Sequence, residues 1–296
     1  MVSDVIILGA GGQVGQALTT LAPAAGFAPL GFGSAEVDIT SLGALKQLIS
    51  DHPGTPIINA AAYTAVDKAE AEVERAFLVN ATAPTWLAAL AGHDRPLIHY
   101  STDYVFSGKG ETPFSTEADT APLGVYGLSK RVGETAVLAA SRGTVLRTAW
   151  VYGATGNNFL KTMVRVGRDR GALNVVDDQI GTPTHADDIA RATLTLLSQQ
   201  LSGQGAAAPG LYHLTAAGQT SWYGFAAEIF KALEQQTGTK VDLTPIPTSE
   251  YPTPAKRPGF SVLDCNKIDR IEGVSRPDWA TPVADTVAAI LKSEKA

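Results

Sequence analysis

Val5-Ile-Ile-Leu8 runs directly into Gly9-Ala-Gly-Gly12-Gln-Val-Gly15, and these eleven residues decide the fold. Four consecutive aliphatic residues suit a strand buried on both faces. The glycines at 9, 12 and 15 have G-x-x-G-x-x-G spacing, with Gly11 as an extra. That spacing allows a tight turn, close approach of backbone to a pyrophosphate, and close packing of helix on strand. Val14 to Ala22 has helical character. A glycine turn alone could be only a turn; the strand before it and the helix after it favour dinucleotide binding. The apolar run is too short to cross a bilayer and has no basic region before it, so a cytoplasmic protein is expected.

Outward from this unit, strand-like and helical stretches alternate. Strands are expected at Ala28 to Phe32, Pro56 to Ala61, Leu97 to Ser101 and Val145 to Ala149. Helices are expected at Leu42 to Asp51, closed by Pro53 and Gly54, and at Val73 to Ala91. Such alternation predicts parallel βαβ units: an α/β fold with a doubly wound, Rossmann-like parallel sheet. After Trp150 the pattern loosens. Asn157-Asn158 could cap a helix from Phe159 to Arg170, and Asp187 to Gln200 and Leu211 to Leu214 could return to the first sheet. Ser202 to Gly210 resembles an exposed loop, and proline-rich Thr244 to Pro258 an extended, substrate-facing one. The expected division is a dinucleotide-binding domain of residues 1–150 plus about 185–216, with a smaller interleaved substrate lobe of about 151–184 and 217–296.

The chain has 296 residues, 45% hydrophobic and 18% charged, ordinary for a globular protein. A net charge of −6 without a basic cluster argues against nucleic-acid or anionic-membrane partners. The one cysteine, Cys265, excludes an internal disulfide and a cysteine-rich metal site. The five histidines have no metal-ligand spacing, so no metal is expected.

Chemistry is expected at the carboxyl ends of the strands. Phe32-Gly33-Ser34 ends the second strand with neither an acid for a ribose nor an arginine for a 2′-phosphate. Asp38, slightly later, could contact adenine or ribose, or cap the helix near Ser41. Small residues after Asn59, in Ala60-Ala-Ala62-Tyr63-Thr64, would let a cofactor lie against the strand or let a helix pack closely. In His99-Tyr-Ser-Thr102-Asp103, Thr102 could donate to a substrate carbonyl or only form a turn, and Asp103 could accept from a substrate hydroxyl. Tyr126 and Lys130, in the only Tyr-x-x-x-Lys of the chain, lie one helical turn apart. A neighbouring ammonium would lower the phenol pKa and fit the tyrosine for proton transfer.

Together these residues resemble the extended short-chain dehydrogenase/reductase superfamily and, within it, the dTDP-4-dehydrorhamnose reductase family. The resemblance covers nearly the whole chain. It is most specific in Gly12 to Gly15, Asn59 to Glu70, Ser101 to Phe106, Tyr126 to Lys130, Trp150-Val-Tyr152 and Asn157-Asn-Phe159. Asp178 to Thr184 and Tyr251 to Pro258 extend it into the second lobe.

The resemblance implies NADPH or NADH held by Gly9, Gly12, Gln13, Val14, Asp38, Ile39, Ala62, Tyr63, Thr64, Tyr100, Tyr126 and Lys130. It implies hydride transfer to the C4 carbonyl of a dTDP-sugar, with Tyr126 as proton donor, Lys130 as its tuning group and Thr102 polarising the carbonyl. Thr102, Asp103 and Trp150 would contact the sugar, and Arg257, or more weakly Lys161, its diphosphate. Some members bridge a homodimer through magnesium on an acid two positions after the third glycine. Ala17 stands there, so a homodimer is expected to lack that bridge. Two rivals stay open: a reductase of another 4-keto-6-deoxy nucleotide sugar, and a non-catalytic dinucleotide-binding regulatory subunit.

Overall fold

Strands β1 (Ser3–Leu8), β2 (Phe27–Phe32), β3 (Ile57–Asn59), β4 (Leu97–Thr102) and β5 (Gly143–Thr148) form one parallel sheet. The computed structural model describes residues 3–203 and 207–294, so the centre of the loop expected at Ser202 to Gly210 lies outside the described residues. A sixth parallel strand, Gly210–His213, pairs with β5, giving the spatial order (210–213)-β5-β4-β3-β1-β2. The chain first moves from β1 to β2 and then returns to β1's other side to lay down β3. The strand order therefore reverses between β1 and β3, where open α/β sheets bind ligands at the carboxyl ends.

Both faces of the sheet are covered, which is why β1 is apolar without alternation. Helix α1 (Gln13–Leu21) and the helix Ala186–Ser202 pack against each other over one face. Helix α2 (Leu42–Asp51) and the helices Ala83–Ala91 and Val125–Ala139 cover the other. The helix expected at Val73 to Ala91 is present but changes pitch: an α-helix Val73–Phe77, a π-helical turn Leu78–Thr82, then the α-helix Ala83–Ala91. Pro84 has no N–H for the carbonyl of Asn80, so the regular ladder cannot pass through it.

A separate core forms around Tyr152, Leu160, Phe225, Ile229 and Val287. Its helices are Phe159–Arg170, Trp222–Thr237 and Val283–Ser293, beside the parallel strands Ala172–Val176 and Asp242–Ile246. Asn158 caps the first of these helices, its Oδ1 accepting from Lys161 N–H at 2.9 Å. Leu263, Cys265, Ile268 and Ile271, expected with the second lobe, instead join the core under the large sheet. Among the described residues no helix is long and apolar enough to cross a membrane.

Candidate active site

At the switch point, the glycine turn is fixed by sterics. Gly9 has φ +77°, and a Cβ there would fall 2.6 Å from Ala61 N. At Gly15 a Cβ would lie 2.1 Å from the Gly9 carbonyl oxygen, so α1 can approach the turn only with glycine. Helix α1 begins after Gly12 with no side-chain cap. Its first N–H groups and the positive end of its dipole are thus available to an anion, and this cradle fits a pyrophosphate. Gln13 also ties the turn to the second lobe: its Oε1 accepts from Asn158 Nδ2 at 2.8 Å.

The loop after β3 is anchored by a residue that the sequence reading missed. Asn80, in the π-helical turn, accepts from Tyr63 N–H at 2.9 Å and donates to Tyr63 O at 3.0 Å and Ser129 Oγ at 3.1 Å. It thereby joins Ala62-Tyr63-Thr64 to the helix that carries Tyr126. The mid-run proline that forces the π turn was the available signal.

The end of β2 holds an acid after all. Gly33 N–H donates to Glu36 Oε2 at 2.8 Å, folding that carboxylate back onto the strand end beside the glycine turn. Asp38 is exposed, and hydrogen bonds from the side chain and backbone of Thr40 hold its carboxyl below the usual range. Ser41, not Asp38, caps α2, its Oγ accepting from Ala44 N–H at 3.3 Å. Ile39 is buried in the core.

Tyr126 and Lys130 sit in the first turns of the helix Val125–Ala139, whose start is held from another element. Val125 N–H donates to Glu70 Oε1 at 2.9 Å, and a Cβ on Gly124 would lie 2.4 Å from that oxygen. Thr102 ends β4. Its hydroxyl donates to Asp103 Oδ1 at 3.0 Å and accepts from Tyr104 N–H at 3.2 Å, and it lies near the Tyr126 phenol. Asp103 is buried with Oδ2 unpartnered, and burial pushes its carboxyl up to about 6. The lowering expected at Tyr126 does not occur. Burial pushes the phenol up to about 12, against the opposing pull of the nearby Thr102 hydroxyl, so Tyr126 is a neutral donor across the working range. Burial also pulls Lys130 down to about 7.

Tyr100, like Ile39, is an expected site residue whose side chain points elsewhere: its hydroxyl pairs with Thr193 at 2.7 Å inside the core. Trp150 is held at the border of the two cores, with φ +45° and its ring stacked on Trp222 at 3.5 Å. A Cβ on Gly181 would strike that ring at 2.5 Å, which accounts for the glycine. Arg257 arrives from the proline-rich loop already engaged, with Nη2 2.8 Å and Nη1 3.2 Å from the two oxygens of Asp67. Residues of the same two segments, with Tyr104 and Tyr126, line a narrow cavity that includes Val66, Glu70, Ala255 and Lys256. Lys161 is apart, in the helix capped by Asn158.

A glycine turn at the switch point, a strand-end threonine beside a tyrosine, and a buried lysine one turn beyond define a class: the dinucleotide-dependent oxidoreductases of the extended short-chain type. The model of the family described as the RmlD substrate binding domain matches residues 3–292. A dTDP-4-dehydrorhamnose reductase of Sinorhizobium fredii is 42% identical over 268 residues, 90% of each chain. The solved dTDP-4-dehydrorhamnose reductase of Clostridium acetobutylicum superposes with TM-score 0.88 at 35% identity, covering 97% of this chain and 99% of its own. That of Bacillus anthracis, solved in complex with NADP, gives 0.87 at 33% identity with the same coverage. The chain belongs to this family, that of the dTDP-4-dehydrorhamnose reductases.

Proposed function

We propose that the chain reduces the C4 keto group of dTDP-4-dehydro-β-L-rhamnose, giving dTDP-L-rhamnose, with NADPH or NADH. The observation that carries this reading is the half-buried, neutral Tyr126 beside Thr102, one turn before the buried Lys130. When bound, the reduced nicotinamide supplies the hydride. The turn at Gly9, Gly12, Gln13 and Val14 would hold the coenzyme's pyrophosphate, and Asp38, Ile39, Ala62, Tyr63 and Thr64 would flank its two ends. Lys130 would orient its ribose, and Tyr100 would contribute through its backbone, since its hydroxyl is engaged with Thr193.

Tyr126 donates the proton that the reduced carbonyl oxygen requires. Thr102, bonded to Asp103 and beside Tyr126, polarises the carbonyl as charge develops. The unpartnered Oδ2 of Asp103 accepts from a sugar hydroxyl, and Trp150, braced by Trp222, forms an apolar wall. Arg257 exchanges Asp67 for the diphosphate. Residues 1–150 with 185–216 serve the coenzyme, joined by the core-packed stretch near Leu263 to Ile271, and the remainder serves the sugar nucleotide.

We further propose a cytoplasmic enzyme whose partners are small molecules rather than nucleic acid or membrane. Any homodimer lacks a magnesium bridge, because Ala17 is buried on α1 and offers no ligand. The test is direct: NADPH oxidation is followed at its absorbance maximum on adding dTDP-4-dehydrorhamnose or other 4-keto-6-deoxy nucleotide sugars. Faster turnover of another ketosugar overturns the substrate assignment, and no turnover of any overturns the enzyme.

A further inference from the structure

Behind Lys130 lies a polar chain that the reaction as described does not use. Lys130 Nζ is 3.3 Å from His99 Nε2, and His99 Nδ1 is 3.1 Å from Asn59 Nδ2. Asn59, the last residue of β3, and His99, in the middle of β4, are register partners. All three are buried, with relative exposures of 2%, 0% and 1% for Lys130, His99 and Asn59.

Hydrogen-bond accounting restricts their protonation. Asn59 Oδ1 accepts from Ala61 N–H at 3.2 Å, so the Asn59 amide turns its NH₂ toward His99. His99 Nδ1 must then present a lone pair, and a neutral ring carries its hydrogen on Nε2. Nε2–H faces Lys130, and only an amine has a lone pair to receive it. An ammonium would instead need the other tautomer, with Nδ1–H pointing at the Asn59 NH₂, so that amide would have to turn and give up Ala61. The groups facing this pair agree. His99 is held well below the usual histidine range by burial and then by Lys130. Burial lowers Lys130, while the Glu134 charge, one turn further along and itself paired with Arg147 of β5 at 2.8 Å, works the other way. Tyr126, one turn earlier, is neutral.

We propose that His99 is a positioning residue for the reaction, its two tautomers giving Lys130 a hydrogen-bond partner as amine or as ammonium while Asn59 biases the ring toward the amine. Lys130 therefore changes charge at low cost inside a dry site. The inference rests on the proposed roles of Tyr126 and Lys130.

The test is kcat against pH from 5.5 to 9.5, with folding checked by circular dichroism. Activity that needs the ammonium falls as pH rises through the Lys130 pKa, so the midpoint of that fall is the readout. His99→Leu removes the partner of both forms, and the charged form loses more; the midpoint should drop by about one unit. His99→Asn, which can reach only the Asn59 side, should drop likewise and serves if the leucine variant does not fold. Asn59→Asp demands Nδ1–H, turns Nε2 into an acceptor and should raise the midpoint by about one unit. Opposite signs support the tautomer device when the rise is lost in His99→Leu/Asn59→Asp, where the new carboxylate acts on Lys130 through space alone; a rise that persists there overturns it. Unmoved midpoints, with turnover lost in Lys130→Met, overturn this inference alone. Turnover surviving Lys130→Met overturns the reading beneath it.

Discussion

Arg257 offers the sharpest test of how the two halves of the site cooperate. Its guanidinium is not free: both Nη groups lie on Asp67, 190 residues away in sequence. Burial, the largest single influence, pulls Arg257 down, but the hydrogen bond and charge of Asp67 together with Tyr104 and Tyr251 outweigh it and hold the charge firmly on the guanidinium. The same contact holds Asp67 low. The arginine side chain is 21% exposed and the aspartate 40%, so water screens the pair and its net value is at most about 1 kcal/mol. A charge-assisted contact to a diphosphate is worth roughly 1.5–3 kcal/mol.

Binding a dTDP-sugar replaces the first with the second, so the net gain is roughly 1–2 kcal/mol. Arg257→Ala should weaken free dTDP by about 5- to 30-fold in calorimetry, with NADPH affinity unchanged. Asp67→Ala removes the competitor and should strengthen dTDP by up to about fivefold. In an Arg257→Ala background, Asp67→Ala should have no further effect beyond its small repulsion of the diphosphate, a non-additivity that a double-mutant cycle measures. Equal weakening in both single variants would make the pair a structural clip between lobes. Unchanged dTDP affinity in Arg257→Ala would remove the arginine from the diphosphate site altogether.

Three further outcomes are expected. Tyr126→Phe should cut turnover by roughly 10²–10⁴ with coenzyme binding retained in fluorescence titration, and a loss of only a few-fold would reassign the proton donor. NADH and NADPH should serve within roughly tenfold of each other in kcat/KM. Glu36→Gln should tilt that ratio toward NADPH by removing a carboxylate at the end of β2, and an unmoved ratio would place the adenosine ribose elsewhere. His213 is pushed down to about 4 by burial and then by Arg147. Because its folded value lies below the unfolded one, the unfolded chain takes up the proton first, and stability is lost as pH falls from about 6.5 toward 4. Urea midpoints at pH 7 and pH 5 should differ less in His213→Gln than in the parent, and an equal difference would show that this ring does not drive the loss.

What the sequence by itself determined was local. Four consecutive aliphatic residues before spaced glycines specify strand, turn and helix, because burial on both faces and Cβ clashes act over a few residues. Tyr126 and Lys130 share a face because a helix repeats over four residues, and Asn158 caps because its side chain reaches its own next turn. Only the tertiary structure decided the rest. Tyr100 turns into the core through packing that no spacing reveals. Arg257 meets Asp67, and Lys130 meets His99, because strand order and lobe docking bring distant segments together. The proton balance of the site inverted for the same reason. In sequence Lys130 is simply a nearby cation for Tyr126. In the fold Lys130 is buried and Tyr126 half-buried, and desolvation, set by everything that covers them, outweighs the attraction of one charge for another.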